Sequence, residues 1–324
     1  MISLSRIRFK AINLPKRRNC QPGKFLRVLI LGYAFLLKIR KIDFDSLRYL
    51  HMNSAGHENN FEIDSFPEIE VMIPAILRDL DNLKICLRTI QDASVNRITR
   101  ISIIVPESQV SVFEENLKTM NSSLLEIISE TTVVDQHVIK RIRDFYGTRS
   151  GWVLAEFIKA NYVLKSRAAG VLVVDADTVL TAKKLWLGKN FEQELFPVLE
   201  YHKHYFDFLD YLEIPMARRD TSFMSHYMLF QPRIYQEMFD RIKFFDLDQI
   251  LTELLSFPSI NPHSPVCFCY EAYSHYLLAK YPKFVKERKW ANIQIAREEF
   301  LENEDYYLKY AKKHFCSISS HAYL

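Results

Sequence analysis

Glycine is scarce in this chain: seven occur in 324 residues, and neither G-x-G-x-x-G nor G-x-x-x-x-G-K-S/T is present. Mechanisms that cradle phosphate in a glycine-rich loop therefore start without their scaffold. Cysteine is sparse too. Cys20, Cys86, Cys267, Cys269 and Cys316 form an odd, scattered set with no C-x-x-C pair. That argues against a disulfide framework or a structural zinc site and for a reducing, cytoplasmic compartment. The segment Cys267-Phe268-Cys269 reads as extended, buried packing. No apolar run reaches the roughly 20 residues that a spanning helix needs. Acid is missing altogether from residues 1–42, which carry eleven Lys and Arg, whereas the remainder holds 32 basic and 39 acidic residues. A basic arm on a mildly acidic body points to an anionic surface near the arm. A nucleic-acid partner is not expected, because the arm lacks interleaved aromatics and arginines.

Residues 25–39, with Arg27, Lys38, Arg40 and Lys41 around them, make the longest apolar stretch. Two readings stay open: a helix lying in a membrane interface at the inner face, or a helix packed on the body with basic flanks. Residues 51–65 are polar and read as a linker, so 1–65 is expected to be a basic helical extension and 66–324 the catalytic domain.

From Pro67 the pattern alternates between strand and helix. Strands are expected at 69–74, 101–106, 131–135 and 171–174, with helices at 79–91, 110–120 and 150–166. Residues 194–212 read as an aromatic helix, suited either to core packing or to an acceptor platform. Alternation of this kind implies crossover connections and a mostly parallel sheet flanked by helices, an α/β fold.

The richest stretch is Val171-Leu172-Val173-Val174-Asp175-Ala176-Asp177. Its unalternating apolar run suits a strand buried on both faces, and its two acids then fall at the carboxyl end, where open α/β sheets bind ligands. Two carboxylates at i, i+2 can address one hard cation that keeps positions open for phosphate oxygens; the other reading is an Asp-rich turn. A third ligand has two candidates, His226 and His321. A core histidine and an idle terminal histidine are the plain alternatives. Glu271, among Cys269, Tyr270 and Tyr273, suits a general base or a helix N-terminal acid. The pattern Asp175-x-Asp177-x-Val179 also fits the nucleophile motif of haloacid-dehalogenase-like phosphatases. Their downstream glycine-bearing acid cluster has no counterpart, since Gly188 is the only glycine after Asp177.

In order along the chain, several pieces resemble the bacterial DUF6492 family of GT-A-like glycosyltransferases. They are Val71-Met72-Ile73-Pro74 with Arg78-Asp79-Leu80, Ser150-Gly151-Trp152 with Lys159, Val174 to Thr178, Tyr201-His202, Ser222-Phe223 with His226, Tyr270-Glu271, Trp290 with Asn292, and Ser319-Ser320-His321. The chain departs from the family at Cys269 and at Ala155-Glu156. The resemblance implies a GT-A (Rossmann-like) fold, a nucleotide-sugar donor and a divalent cation, Mn²⁺ or Mg²⁺. Asp175 would lie near ribose and metal, Asp177 would bind the metal, and His321 would complete its shell. Glu271 would take the place of the inverting base, and Arg78 and Asp79 would contact the nucleotide. Lys159 and Lys165 are candidates for the diphosphate. The expected reaction is sugar transfer to a hydroxyl of a surface glycan or lipid-linked acceptor. Rivals are a nucleotidyltransferase, which normally has a glycine-rich loop where Ile73-Pro74-Ala75-Ile76-Leu77-Arg78 stands, and a degenerate scaffold whose arm binds membrane.

Overall fold

The computed structural model describes residues 66–120, 123–199, 201–244, 246–264 and 268–322. The basic arm, the apolar stretch at 25–39 and the linker lie outside the described residues. Among the described residues, no helix is long and apolar enough to cross a membrane.

Strand β1 (Ile69–Pro74) leads through a 3-10 turn into helix α1 (Leu80–Ile90), then β2 (Ile98–Val105), α2 (Val110–Leu117) and β3 (Leu125–Ser129). Helices α3 (Gln136–Tyr146) and α4 (Ser150–Lys165) precede β4 (Gly170–Val174) and β5 (Thr178–Leu180). Then come β6 (Gln193–Leu195), α5 (Lys203–Tyr211), β7 (Tyr227–Phe230), α6 (Pro232–Arg241) and α7 (Leu247–Ser256). The chain finishes with α8 (Cys269–Lys280), β8 (Val285–Glu287), β9 (Asn292–Ala296), α9 (Arg297–Glu302), α10 (Glu304–His314) and β10 (Ser317–His321).

The central sheet has the order β3-β2-β1-β4-β7, parallel except for β7, which runs antiparallel to β4. Strand β4 explains its own composition. Val171 and Val173 pack with Met228, Phe230 and helices α3 to α8, while Leu172 and Val174 pack with Tyr227, Leu229 and helices α1 and α2. Both faces are dry, so alternation would have placed a polar group in a core. From β1 the chain proceeds outward to β2 and β3 and then returns to place β4 on the other side of β1. The order therefore reverses between β1 and β4, and the crevice outside the carboxyl ends of those two strands is the position where open α/β sheets bind ligands.

A second sheet has the order β5-β10-β9, with β10 antiparallel to β5 and parallel to β9; β6 pairs with β8. The α/β expectation holds, with three local corrections. The third strand is Leu125–Ser129, in register with β2 from Ile101↔Leu125, and the segment 131–135 is not a strand. Ser129 caps a short helical turn there, its hydroxyl oxygen accepting from Thr131 N–H at 3.3 Å, and this local bond overrides the β-branched run Thr131-Thr132-Val133. Residues 193–195 are extended and the aromatic helix spans only Lys203–Tyr211. Cys269 opens helix α8 instead of lying in an extended segment.

Asn96 pins the strand network together: its amide donates to Pro67 O at 2.9 Å and Leu187 O at 2.8 Å, and its Oδ1 accepts from the N–H groups of Trp186 and Leu187. Asn96→Ala leaves these buried groups unpaired, and urea denaturation is expected to show a loss of about 2–4 kcal/mol.

Candidate functional site

Asp175 and Asp177 sit at the turn from β4 into β5, closed by Thr178 N–H donating to Asp175 O at 2.9 Å. Strand β5 then pairs with β10, and Ser320 N–H donates to Asp177 O at 2.9 Å. The consequence is a contact across 144 residues: His321 Nδ1 lies 2.9 Å from Asp177 Oδ2. His321, near the end of the chain, is almost wholly buried, not an idle terminal residue.

Asp175 has different companions. Lys159, on the α4 face that looks at the sheet, places Nζ 3.0 Å from Asp175 Oδ1 and 3.5 Å from Glu156 Oε1. Its ammonium also lies over the Tyr270 ring, 4.6 Å from the centroid. Burial alone would lower the Lys159 pKa, but Asp175, Tyr270 and Glu156 hold it well above the usual range. Burial would raise Asp175; Lys159 and His226 overcome this and hold its carboxyl well below the usual carboxylate range. His226 Nδ1 stands 3.3 Å from Asp175 Oδ2, and His226 O accepts from Asp175 N–H at 2.9 Å. The His226 ring is 4.9 Å from that of His321 and 5.3 Å from Trp290, centroid to centroid. His226 thus joins the aspartates instead of serving as a core histidine.

The third acid of this edge is Asp79, just beyond β1. Arg297 clamps it, Nη2 to Oδ1 at 2.7 Å, and donates through Nη1 to Arg78 O at 2.8 Å. Burial raises the Asp79 pKa against the pull of Arg297, and the charge of Asp177 adds to the rise. Arg297 follows Ala296, the register partner of His321, so β9 and β10 deliver an arginine and a histidine to the same edge. Arg78 itself points outward, its side chain 68% exposed.

Asp79, Asp175 and Asp177 are therefore gathered at the sheet's switch point and faced by Arg297, Lys159, His226 and His321. Sequence reasoning missed Arg297 and Glu156. Arg297 carries no motif, and its only signal is a cation directly after the alternating strand Ile293, Ile295. Lys165 lies elsewhere: it ends α4 next to Ser166, whose hydroxyl bonds Glu70 at the start of β1, on the opposite sheet edge.

Glu271 is also set apart. It has no exposed surface; its Oε1 accepts from Ser222 Oγ, and its Oε2 accepts from Phe223 N–H at 3.1 Å. Acting as an acceptor base requires a face open to the acceptor, which this arrangement lacks.

Among the described residues, no group of three or more His, Cys, Asp or Glu side chains is arranged to hold a metal ion. The donor pair Asp177 and His321 is nevertheless suited to a cation completed by ligand oxygens. Asp177 Oδ2 and His321 Nδ1 are hydrogen-bonded to each other at 2.9 Å, a separation that two cis ligands about 2.1 Å from one cation would also have, at about 3 Å. One carboxylate oxygen with one imidazole nitrogen favours Mn²⁺ over Mg²⁺. Asp175, with an ammonium on one oxygen and an imidazole on the other, is not placed as a ligand.

Lys159→Met would leave Glu156 and Asp175 without their buried counter-charge. Its expected cost in chemical denaturation is about 3 kcal/mol or more, with part recovered in the double variant Lys159→Met, Asp175→Asn.

No family model and no curated protein matches the chain. Several solved structures show a distant likeness. Mouse xyloside xylosyltransferase 1 in its apo form is 8% identical, with 79% of this chain and 98% of that chain covered and a TM-score of 0.45. The galactosyltransferase LgtC with donor and acceptor sugar analogues is 10% identical, covering 78% and 86% at a TM-score of 0.43. The mannosyltransferase Ktr4p from S. cerevisiae in complex with GDP is 8% identical, covering 70% of each chain at a TM-score of 0.45.

Proposed function

We propose that this chain is a metal-dependent glycosyltransferase that moves a sugar from a nucleotide-sugar donor to a hydroxyl acceptor, as its resemblance to DUF6492 implies. One observation carries the reading: the strand-end pair Asp175 and Asp177 lies at the sheet's switch point, and the far end of the chain brings His321 to within 2.9 Å of Asp177. A phosphatase nucleophile or a plain Asp-rich turn would not call for a buried histidine delivered from 144 residues away.

Asp177 and His321 would hold the cation, which supplies positive charge where a departing nucleoside diphosphate accumulates negative charge. Arg78, exposed beside the same edge, would meet the nucleotide. Asp79, fixed by Arg297, presents a carboxylate of defined orientation beside it. Asp175 stays ionised through Lys159 and holds His226 by its Nδ1, so the His226 ring keeps one orientation beside Trp290 and His321. The acceptor would be a glycan or a lipid-linked glycan, and the basic arm would bring the domain to an anionic membrane at the cytoplasmic face. Deleting residues 1–42 should then abolish binding to anionic vesicles; binding that persists would remove the membrane role.

The reaction is tested by incubating the protein with Mn²⁺ and a panel of nucleotide sugars and following nucleoside diphosphate release. One donor should be turned over, and Asp177→Ala should lower its release by about a hundredfold or more. No release from any donor would overturn the reading.

A further inference from the structure

Glu271 is buried more completely than any group at the carboxylate edge, yet its carboxylate is bonded to backbone. Oε1 accepts from Ser222 Oγ and from Phe223 N–H at 3.3 Å, Oε2 accepts from the same Phe223 N–H at 3.1 Å, and His275 Nε2 lies 3.5 Å from Oε2. Ser222, Glu271 and His275 are all buried. The Phe206 and Phe223 rings pack against the imidazole of His275 in T-shaped contacts, with centroids at 5.4 and 5.2 Å.

What the carboxylate holds is the irregular segment that leads into β7. Ser222 O accepts from Val198 N–H at 2.8 Å, and Ser222 Oγ accepts from Met224 N–H at 3.3 Å while donating to Glu271. Ser225 N–H donates to Phe223 O at 2.7 Å, and Ser225 Oγ donates to Tyr227 O at 2.6 Å. Four residues after Ser222 comes His226, bound to Asp175 through both its ring and its carbonyl. The segment is therefore suspended between two carboxylates, Glu271 at one end and Asp175 at the other. Strand β7 begins only at Tyr227, so strand-type pairing reaches residues 222–226 only at their two ends, Ser222 through a bridge to Val198 and His226 through Asp175 N–H, and leaves Phe223 to Ser225 outside any ladder. A buried side chain with two acceptor oxygens holds the middle of the segment, and removing it would leave the Phe223 N–H and the Ser222 O–H donor without their acceptor.

We infer that Glu271 is a positioning residue: through Ser222 and Phe223 it sets the course of residues 222–226 and so places His226 on Asp175, without itself taking the acceptor's proton. The turnover part of this inference rests on the glycosyltransferase reading, whereas the structural part does not. Glutamine can fill the same role. Its carbonyl at the Oε1 position still accepts from Ser222 and from Phe223 N–H, while its amide at the Oε2 position gives up the shorter Phe223 contact and donates toward His275 Nε2. A base, by contrast, cannot be replaced by an amide.

The test compares Glu271→Gln, Glu271→Ala and Ser222→Ala by amide hydrogen exchange over residues 220–228 and by turnover with the donor the wild type accepts. Glu271→Ala should speed exchange in this segment at least tenfold and lower kcat about a hundredfold with donor KM changed less than threefold. Glu271→Gln should restore slow exchange and keep kcat within tenfold of wild type. Ser222→Ala, a milder change, should speed exchange in the same segment if Glu271→Ala does not fold. Exchange unchanged in Glu271→Ala, or unchanged in Ser222→Ala where the alanine variant does not fold, overturns the inference. So does a Glu271→Gln variant with wild-type exchange and no turnover, the signature of a base. Absence of turnover in the wild type would count against the glycosyltransferase reading alone, since the exchange arm still decides the positioning role.

Discussion

Insertion of β10 between β5 and β9 is the constraint on which the carboxylate edge depends. β5 follows the aspartates directly, so whatever pairs with it is carried to Asp177, and β10 ends in His321. This strand is buried throughout although its sequence is Ser-Ile-Ser-Ser-His. Its polarity is accommodated by Asn292 on β9, whose Oδ1 accepts from Ser317 Oγ at 2.7 Å and Ser319 Oγ at 3.2 Å. From α1, Asn82 adds a bond to Ser320 O at 3.4 Å. Polar pairing of this kind specifies one register where apolar packing would tolerate several, because each slip leaves buried donors unpaired.

The same pairing orders the charges. With β10 in place, β9 is parallel beside it, and Arg297 leaves β9 level with His321 to reach Asp79. The three acids then have distinct environments. Asp79 is pushed up by burial, Asp175 is pulled down by Lys159 and His226, and Asp177 is shared with His321. Separate environments permit separate roles, which is how neighbouring carboxylates divide labour in a site. Here the division pairs Asp175 with the internal cation of α4 and Asp177 with His321, the pair proposed above to hold a cation.

Much of this frame is legible in the sequence where burial is two-sided or amphipathicity is strong. β1, β2, β4, α1 and α4 are readable within a few residues because their apolar patterns follow directly from which faces are covered. β3 is misplaced because its own residues are only partly buried, while the neighbouring Thr131-Thr132-Val133-Val134 has the stronger β composition and loses to a serine cap. At the site, the strand-end aspartates announce themselves, since acids ending an apolar run need a reason. His321 enters as one of two histidine candidates for a third ligand, and only the resemblance assigns it that role. Lys159 is visible as a nearby cation but its pairing with Asp175 is not, because helix-to-strand packing decides which face of α4 looks at β4. Arg297 and the bracing role of Glu271 depend on contacts 218 and 48 residues apart, which no local pattern encodes.

The central claim is that Asp177 and His321 together hold a cation whose remaining ligands come from a diphosphate. Mn²⁺ binding measured by electron paramagnetic resonance, with and without UDP or GDP, tests it most directly. The account predicts that one of these nucleotides tightens Mn²⁺ binding to the wild type and that both Asp177→Ala and His321→Ala abolish the tightening, while Asp175→Asn retains it. Equal Mn²⁺ uptake by the wild type and the Asp177→Ala and His321→Ala variants, or no uptake by the wild type with either nucleotide, would contradict it.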